Sequence, residues 1–170
     1  MKKRGFTLIE LLIVVAIIGI IVAIAIPNLL SAVQRSRQKR TMADMRAIAN
    51  VWETYYVDYS YYYAAGECQS ASGGTVTGDD VTVNVGYSAL TARLVPTYIG
   101  KLPEKDGWNN AFYFYVDNTT RAQAYRIASL GKNGTVDGTS CGITRYFDND
   151  IVFAVGQFVE WPEGAQKSGS

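Results

Sequence analysis

Apolar and polar positions divide this chain into two regimes. From Phe6 to Ile26 the sequence reads FTLIELLIVVAIIGIIVAIAI, interrupted only by Thr7, Glu10 and Gly19. At about 1.5 Å per residue these make about 32 Å of helix, enough to cross the roughly 30 Å apolar slab of a bilayer. Pro27 removes a backbone donor and crowds the preceding turn, so a kink is expected there. Helical patterning resumes with Leu29, Leu30 and Val33. Arg35, Arg37, Lys39 and Arg40 then break the apolar stripe, and Met45, Ile48, Trp52, Tyr55 and Tyr59 restore it at spacings of three and four. The spacing predicts one helix from Phe6 to about Tyr63, about 85 Å long, spanning in its first half and amphipathic in its second.

After Ala64-Ala65-Gly66 the period changes. Ser70 to Gly74 reads as a loop, and Thr75-Val76-Thr77 with Val81-Thr82-Val83 around Gly78-Asp79-Asp80 predicts a short hairpin. A small helix is expected around Ser88 to Leu94, stopped by Pro96. Phe112 to Val116 is a strong strand, with a turn at Asp117-Asn118, a returning strand at Tyr125-Arg126-Ile127 and a third from Ile151. Three or four antiparallel strands laid across the amphipathic helix would bury Trp52 and Tyr55, which gives an α+β fold. Of the helix-end tyrosines, Tyr55 and Tyr59 are expected on the sheet side, with Tyr56, Tyr61, Tyr62 and Tyr63 as a collar.

Glu10 is the anomaly in the apolar run. A carboxylate facing lipid costs roughly 3 kcal/mol even on lenient scales. A free amine at Phe6, created by cutting after Gly5, would offset it. At about 4 Å and an effective dielectric near 20 the attraction is roughly 4 kcal/mol, on the same helix or toward a neighbouring copy.

The basic leader Met1-Lys2-Lys3-Arg4, then Gly5-Phe6-Thr7-Leu8-Ile9-Glu10 joined to an apolar helix ending at Pro27, closely resembles the class III signal of type IV prepilins and pseudopilins. A secretory signal would have a shorter apolar core and a small-residue cleavage site on its far side, which Ile24-Ala25-Ile26-Pro27-Asn28 lacks. The resemblance implies removal of residues 1–5 by a prepilin peptidase and N-methylation of Phe6. It also implies assembly into a helical filament, with Thr7, Glu10 and Pro27 as assembly residues and Glu10 setting register. The implied organisation is a leader (1–5), a spanning and filament-core half-helix (6–27), an amphipathic half-helix (28–63) and a head (64–170) with the type IV pilin fold. Partners are then further copies of the chain, the inner membrane, the peptidase and the assembly machinery. The leader is placed in the cytoplasm and the filament in the periplasm or outside the cell. Counting cations alone favours the reverse orientation, since three precede the span and about five follow it; the motif, which an enzyme reads, takes precedence.

Composition adds little against this. The formal charge is +1, with 16 basic and 15 acidic residues, which gives no global argument for nucleic acid. The chain has no histidine, no phosphate-binding glycine loop, no zinc spacing and no nucleophile elbow, so no enzyme, cofactor requirement or small-molecule substrate is indicated. Cys68 and Cys141 match no metal or redox spacing; they read as a disulfide formed outside the cytoplasm, or as two buried thiols. A loop of about 74 residues closed this way stabilises by roughly 4 kcal/mol in the chain-entropy model.

A second resemblance lies in the C-terminal third. Leu102-Pro103, Asp106-Gly107-Trp108-Asn109-Asn110, Ser129 to Gly134 and Asp148-Asn149-Asp150 are similar to the head of the major pseudopilin of type II secretion. That resemblance implies a calcium ion held by the Leu130 carbonyl and by side chains at Asn133, Asn149 and Asp150, with Asp137 and Asp148 as nearby substitutes. Gly-rich turns using Asn and Asp for their backbone habits are the alternative. The function expected is a structural subunit of a type IV pilus. The alternatives are a major pseudopilin of type II secretion, or a membrane-anchored adhesin or DNA-binding minor pilin.

Overall fold

The structure is a computed structural model that describes residues 6–62, 83–117, 121–136 and 142–167. Its first element, α1, runs from Leu8 to Tyr59. The helix continues through Pro27, which costs a backbone hydrogen bond without ending it. It stops earlier than the expected Tyr63 because Ser60 adopts a left-handed φ of 60°. The chain then leaves the helix axis, and the Tyr62 N–H donates to the Ala122 carbonyl at 2.8 Å.

Two compact units divide the chain, Met1–Arg35 and Ser36–Ser170. In the first, every described residue through Leu30 is exposed, including the whole apolar run. This part of α1 is long and apolar enough to cross a membrane, and none of its spanning window is buried by the protein.

The second unit is built on the amphipathic half of α1. Gln38, Thr41, Met45, Ile48, Ala49, Trp52 and Tyr55 are its buried residues and form one stripe. After it come β1 (Val83–Asn84), α2 (Tyr87–Leu94), β2 (Tyr113–Val116), β3 (Tyr125–Ser129), β4 (Gly142–Tyr146), β5 (Ile151–Ala154) and β6 (Gln157–Lys167). The strands make one sheet in the order β1-β2-β3-β5-β6-β4. Trp52 is fully buried, with its ring 5.2 Å from Tyr125 and 6.1 Å from both Phe114 and Tyr62, centroid to centroid. Leu90 and Leu94 of α2 close the same core.

The β2, β3 and β5 strands and α2 stand where the pattern predicts, and β5 pairs antiparallel with β3. Three features depart from it. The sheet is not wholly antiparallel: β4 and β6, both unforeseen, pair in parallel. Pro162 and Gly164 make β6 read as a breaker. Pro162 nevertheless lies past Glu160, the last residue paired with β5, so its missing N–H deletes no ladder bond on that side. Second, Val83 pairs with Val116 of β2; residues 75–82, which hold the rest of the expected hairpin, lie outside the described residues. Third, the tyrosines sort differently. Tyr55 is buried as expected, but Tyr59 is 50 % exposed and stacks on Tyr55 at 4.4 Å, while Tyr62 enters the core.

The β5–β6 connection is a two-residue turn in which Val155 (φ 42°) and Gly156 (φ 83°) both have positive φ. Such turns match the twist of the flanking strands but favour Asn-Gly. A β-branched residue at positive φ is strained by about 1 kcal/mol or more, and the Val155 side chain, 57 % exposed, recovers little burial. Val155→Asn is therefore expected to stabilise the head by about 1 kcal/mol in chemical denaturation, while Val155→Ile leaves it unchanged or weaker.

Candidate assembly site

Thr7 and Glu10 form a reciprocal cap at the start of α1. The Thr7 N–H donates to Glu10 Oε2 at 2.8 Å and the Thr7 hydroxyl to the same oxygen at 2.6 Å. In return, the Glu10 N–H donates to Thr7 Oγ1 at 3.3 Å. This is the Thr-x-x-Glu capping box, which satisfies orphan donors of the first helical turn. The sequence argument, which balanced Glu10 against a new amine alone, missed it, although the spacing spells it out. Phe6, at the other side of the cap, is 72 % exposed. Gly5 lies outside the described residues.

A second site joins the head to the helix. Asp106 is buried and accepts from the Trp108 and Asn110 N–H groups at 2.8 and 2.9 Å through one oxygen, and from the Ser129 hydroxyl at 2.8 Å through the other. Gly107 donates its N–H to Thr41 Oγ1 at 2.9 Å and lies so close to the Arg37 backbone that any β-carbon would collide with it. The Asp106–Asn110 segment, read from the sequence only as a resemblance, thus ties helix, loop and β3 together. Farther along α1, the Tyr125 hydroxyl donates to Glu53 at 2.5 Å and the Tyr98 hydroxyl to Asp58 at 2.6 Å. Burial, and next the hydrogen bond to Glu53, push the Tyr125 phenol well above its ordinary range. Burial holds Tyr62 up to about 12.

The residues expected to hold calcium come together in part. Gly131, at φ 60°, sits directly against the carbonyls of Asp148 and Asn149, so the two turns touch. Asn110 Nδ2 donates to the Gly131 carbonyl at 2.7 Å. The Leu130 carbonyl accepts from the Gly134 N–H, and Asn133 Oδ1 from the Thr135 N–H, as in the turn alternative. Lys132 Nζ lies 3.7 Å from Asp148, and Asp150 is buried. Among the described residues no three acidic, cysteine or histidine groups converge. Calcium takes six to eight oxygens, so these residues alone fall short of the set. Asp137, Cys68 and Cys141 lie outside the described residues.

Comparison with known proteins gives the same N-terminal reading. Residues 1–26 match the family described as the prokaryotic N-terminal methylation motif. The chain is 27 % identical to the type II secretion system core protein G of Escherichia coli K12, over 85 % of this chain and 92 % of that one. It is 29 % identical to the protein of the same name from Vibrio cholerae, over 83 % and 81 %. The N-terminus thus carries the methylation motif, and the relatives that the chain resembles are secretion core proteins and a type IV pilin. Similarity to the type IV major pilin PilA of Myxococcus xanthus is higher, at 44 %, but covers 61 residues, 36 % of this chain and 28 % of that pilin. No solved structure matches. Within this motif the cap is the feature most open to direct test. Thr7→Val is expected to cost about 1 kcal/mol at the helix start. Amide exchange at Glu10 in micelles should then be roughly fivefold faster, with Thr7→Ser behaving as the parent.

Proposed function

We propose that the chain is a structural subunit of a type II secretion pseudopilus. Similarity to core protein G over more than four fifths of both chains carries this reading, because it includes the head as well as the helix. It moves the balance from the type IV pilus, toward which the Cys68–Cys141 disulfide candidate and the size of the head lean. The pilus remains a second reading, favoured by the 44 % identity to PilA. In either, a prepilin peptidase cuts after Gly5 and Phe6 becomes the methylated terminus. The uncovered apolar half of α1 then exchanges lipid for the helices of further copies. Thr7 and Pro27 serve that packing. Glu10 gives up part of its cap to pair with the Phe6 amine of a neighbour, which sets register. Before assembly the subunit is anchored once in the inner membrane with its leader in the cytoplasm.

We further propose that calcium binds where the Leu130–Gly134 and Asp148–Asp150 turns meet, with Asp137 adding a carboxylate to Asp148, Asp150, Asn133 and the Leu130 carbonyl. The closeness of the two turns supports this. The ion's role there is structural, holding the turns against each other.

In cells whose only copy is Glu10→Leu, exported enzymes are expected to accumulate in the periplasm while surface pili persist. Loss of surface pili with normal export would transfer the assignment to the pilus, and normal export with normal pili would overturn the filament reading. For calcium, a concentration about a hundred times its Kd stabilises a bound state by roughly 2.7 kcal/mol. The head of the full chain should melt several degrees higher in calcium than in chelator, and Asp150→Asn should abolish the rise. A midpoint unmoved by calcium rules out the site.

A further inference from the structure

We propose that the surface where the loop at 101–107 docks on α1 binds the anionic headgroups of phospholipids, holding the head against the bilayer while the subunit is membrane-anchored. The inference rests on the membrane-anchored reading of residues 6–27, but not on the filament. Arg40, Lys101 and Lys105 line one concavity of about 430 Å³. The Gly107 backbone, two residues past Lys105, packs on the backbone of Arg37, which puts a further exposed cation on the adjoining turn. Lys39 belongs to the same stretch of helix. All five are exposed.

Carboxylates do not balance them. Asp44 and Glu104 line the same concavity, but Asp44 is taken by Arg40 at 3.5 Å. Asp106, next in the loop, is buried and points its oxygens at Trp108, Asn110 and Ser129. Neither the Arg40–Asp44 pair nor the Lys132–Asp148 pair involves the other four cations. Lys101, Lys105, Arg37 and Lys39 have no carboxylate at ion-pair distance among the described residues. The excess is local, because the whole chain is nearly balanced at 16 basic and 15 acidic residues.

Tethering identifies the partner. Arg35 is eight residues beyond Pro27, so even a fully extended chain keeps it within about 29 Å of the end of the span. The loop bearing Lys101 and Lys105 is fastened to that stretch by the Gly107 bond to Thr41. A bilayer surface is thus held at high effective concentration whatever the angle between the two units. Ammonium groups on flexible stems suit dispersed phosphates, which need charge without forked geometry. Each cation near an anionic bilayer is worth about a fivefold gain in association.

The test uses the full chain in bilayers of equimolar phosphatidylglycerol and phosphatidylcholine, with the lipids that stay bound counted by native mass spectrometry. Lys2, Lys3 and Arg4 also attract anionic lipid, so the decisive reading is the difference between variants. The parent is expected to retain phosphatidylglycerol at least fivefold over phosphatidylcholine. The Lys101→Gln/Lys105→Gln double variant should lower that ratio at least threefold. Lys101→Arg/Lys105→Arg should keep it, which a folding defect would not allow, and 1 M salt should erase the difference. Equal retention of both lipids, or the same ratio in parent and Gln variant, overturns the proposal. So does a parity result in which Lys101 and Lys105 cross-link to carboxylates of a second copy, since an acidic protein surface is then the partner.

Discussion

One helix in this protein has to be satisfied by two different surroundings. From Met45 to Tyr55 its apolar stripe is buried by its own chain, with Trp52 at the centre of an aromatic cluster from β2, β3 and the chain just past the helix. From Phe6 to Leu30 the apolar side chains have no cover in the same chain. Burial of apolar surface is the main favourable term in folding and association, so the uncovered half must find a solvent or a partner elsewhere. A lipid bilayer supplies the first and the helices of other copies the second. Either would cover the helix without asking it to change.

Two polar fixtures make that helix usable. At its start, the cap between Thr7 and Glu10 helps a carboxylate sit in an apolar segment, because one of its oxygens already accepts two hydrogen bonds from Thr7. At the start of the buried stripe, Asp106 organises a tight turn whose next residue, Gly107, meets the helix backbone. Only a residue without a side chain fits there. The buried carboxylate is satisfied by three donors, as a polar group inside a core has to be.

Similarity to secretion proteins and to a pilin is distributed unevenly along the chain. The N-terminal motif is common to both groups and cannot separate them. The head is where the two uses diverge, and there the long, moderate similarity to core protein G says more than the short, higher similarity to PilA.

The spanning segment, the amphipathic stripe, the placement of Trp52 and Tyr55 in the core, α2 and the strands β2, β3 and β5 were all legible in the order of residues. Each depends on periodicity or on a short local signal, which the chain carries in itself. The capping box was equally legible, since Thr7 and Glu10 are three residues apart. Tertiary structure decided the rest. The parallel pairing of β4 with β6 joins segments whose own composition, with Pro162 and Gly164, argues against a strand; pairing partners supply what propensity withholds. The exchange of Tyr59 for Tyr62 in the core follows from Ser60 turning the chain off the helix, after which helical spacing no longer tells which way a side chain points. The meeting of Asp106 with Ser129 and of Gly107 with Thr41, like the gathering of Arg40, Lys101 and Lys105, joins residues far apart in sequence. Such contacts are fixed only when the whole core closes, and no local pattern encodes them.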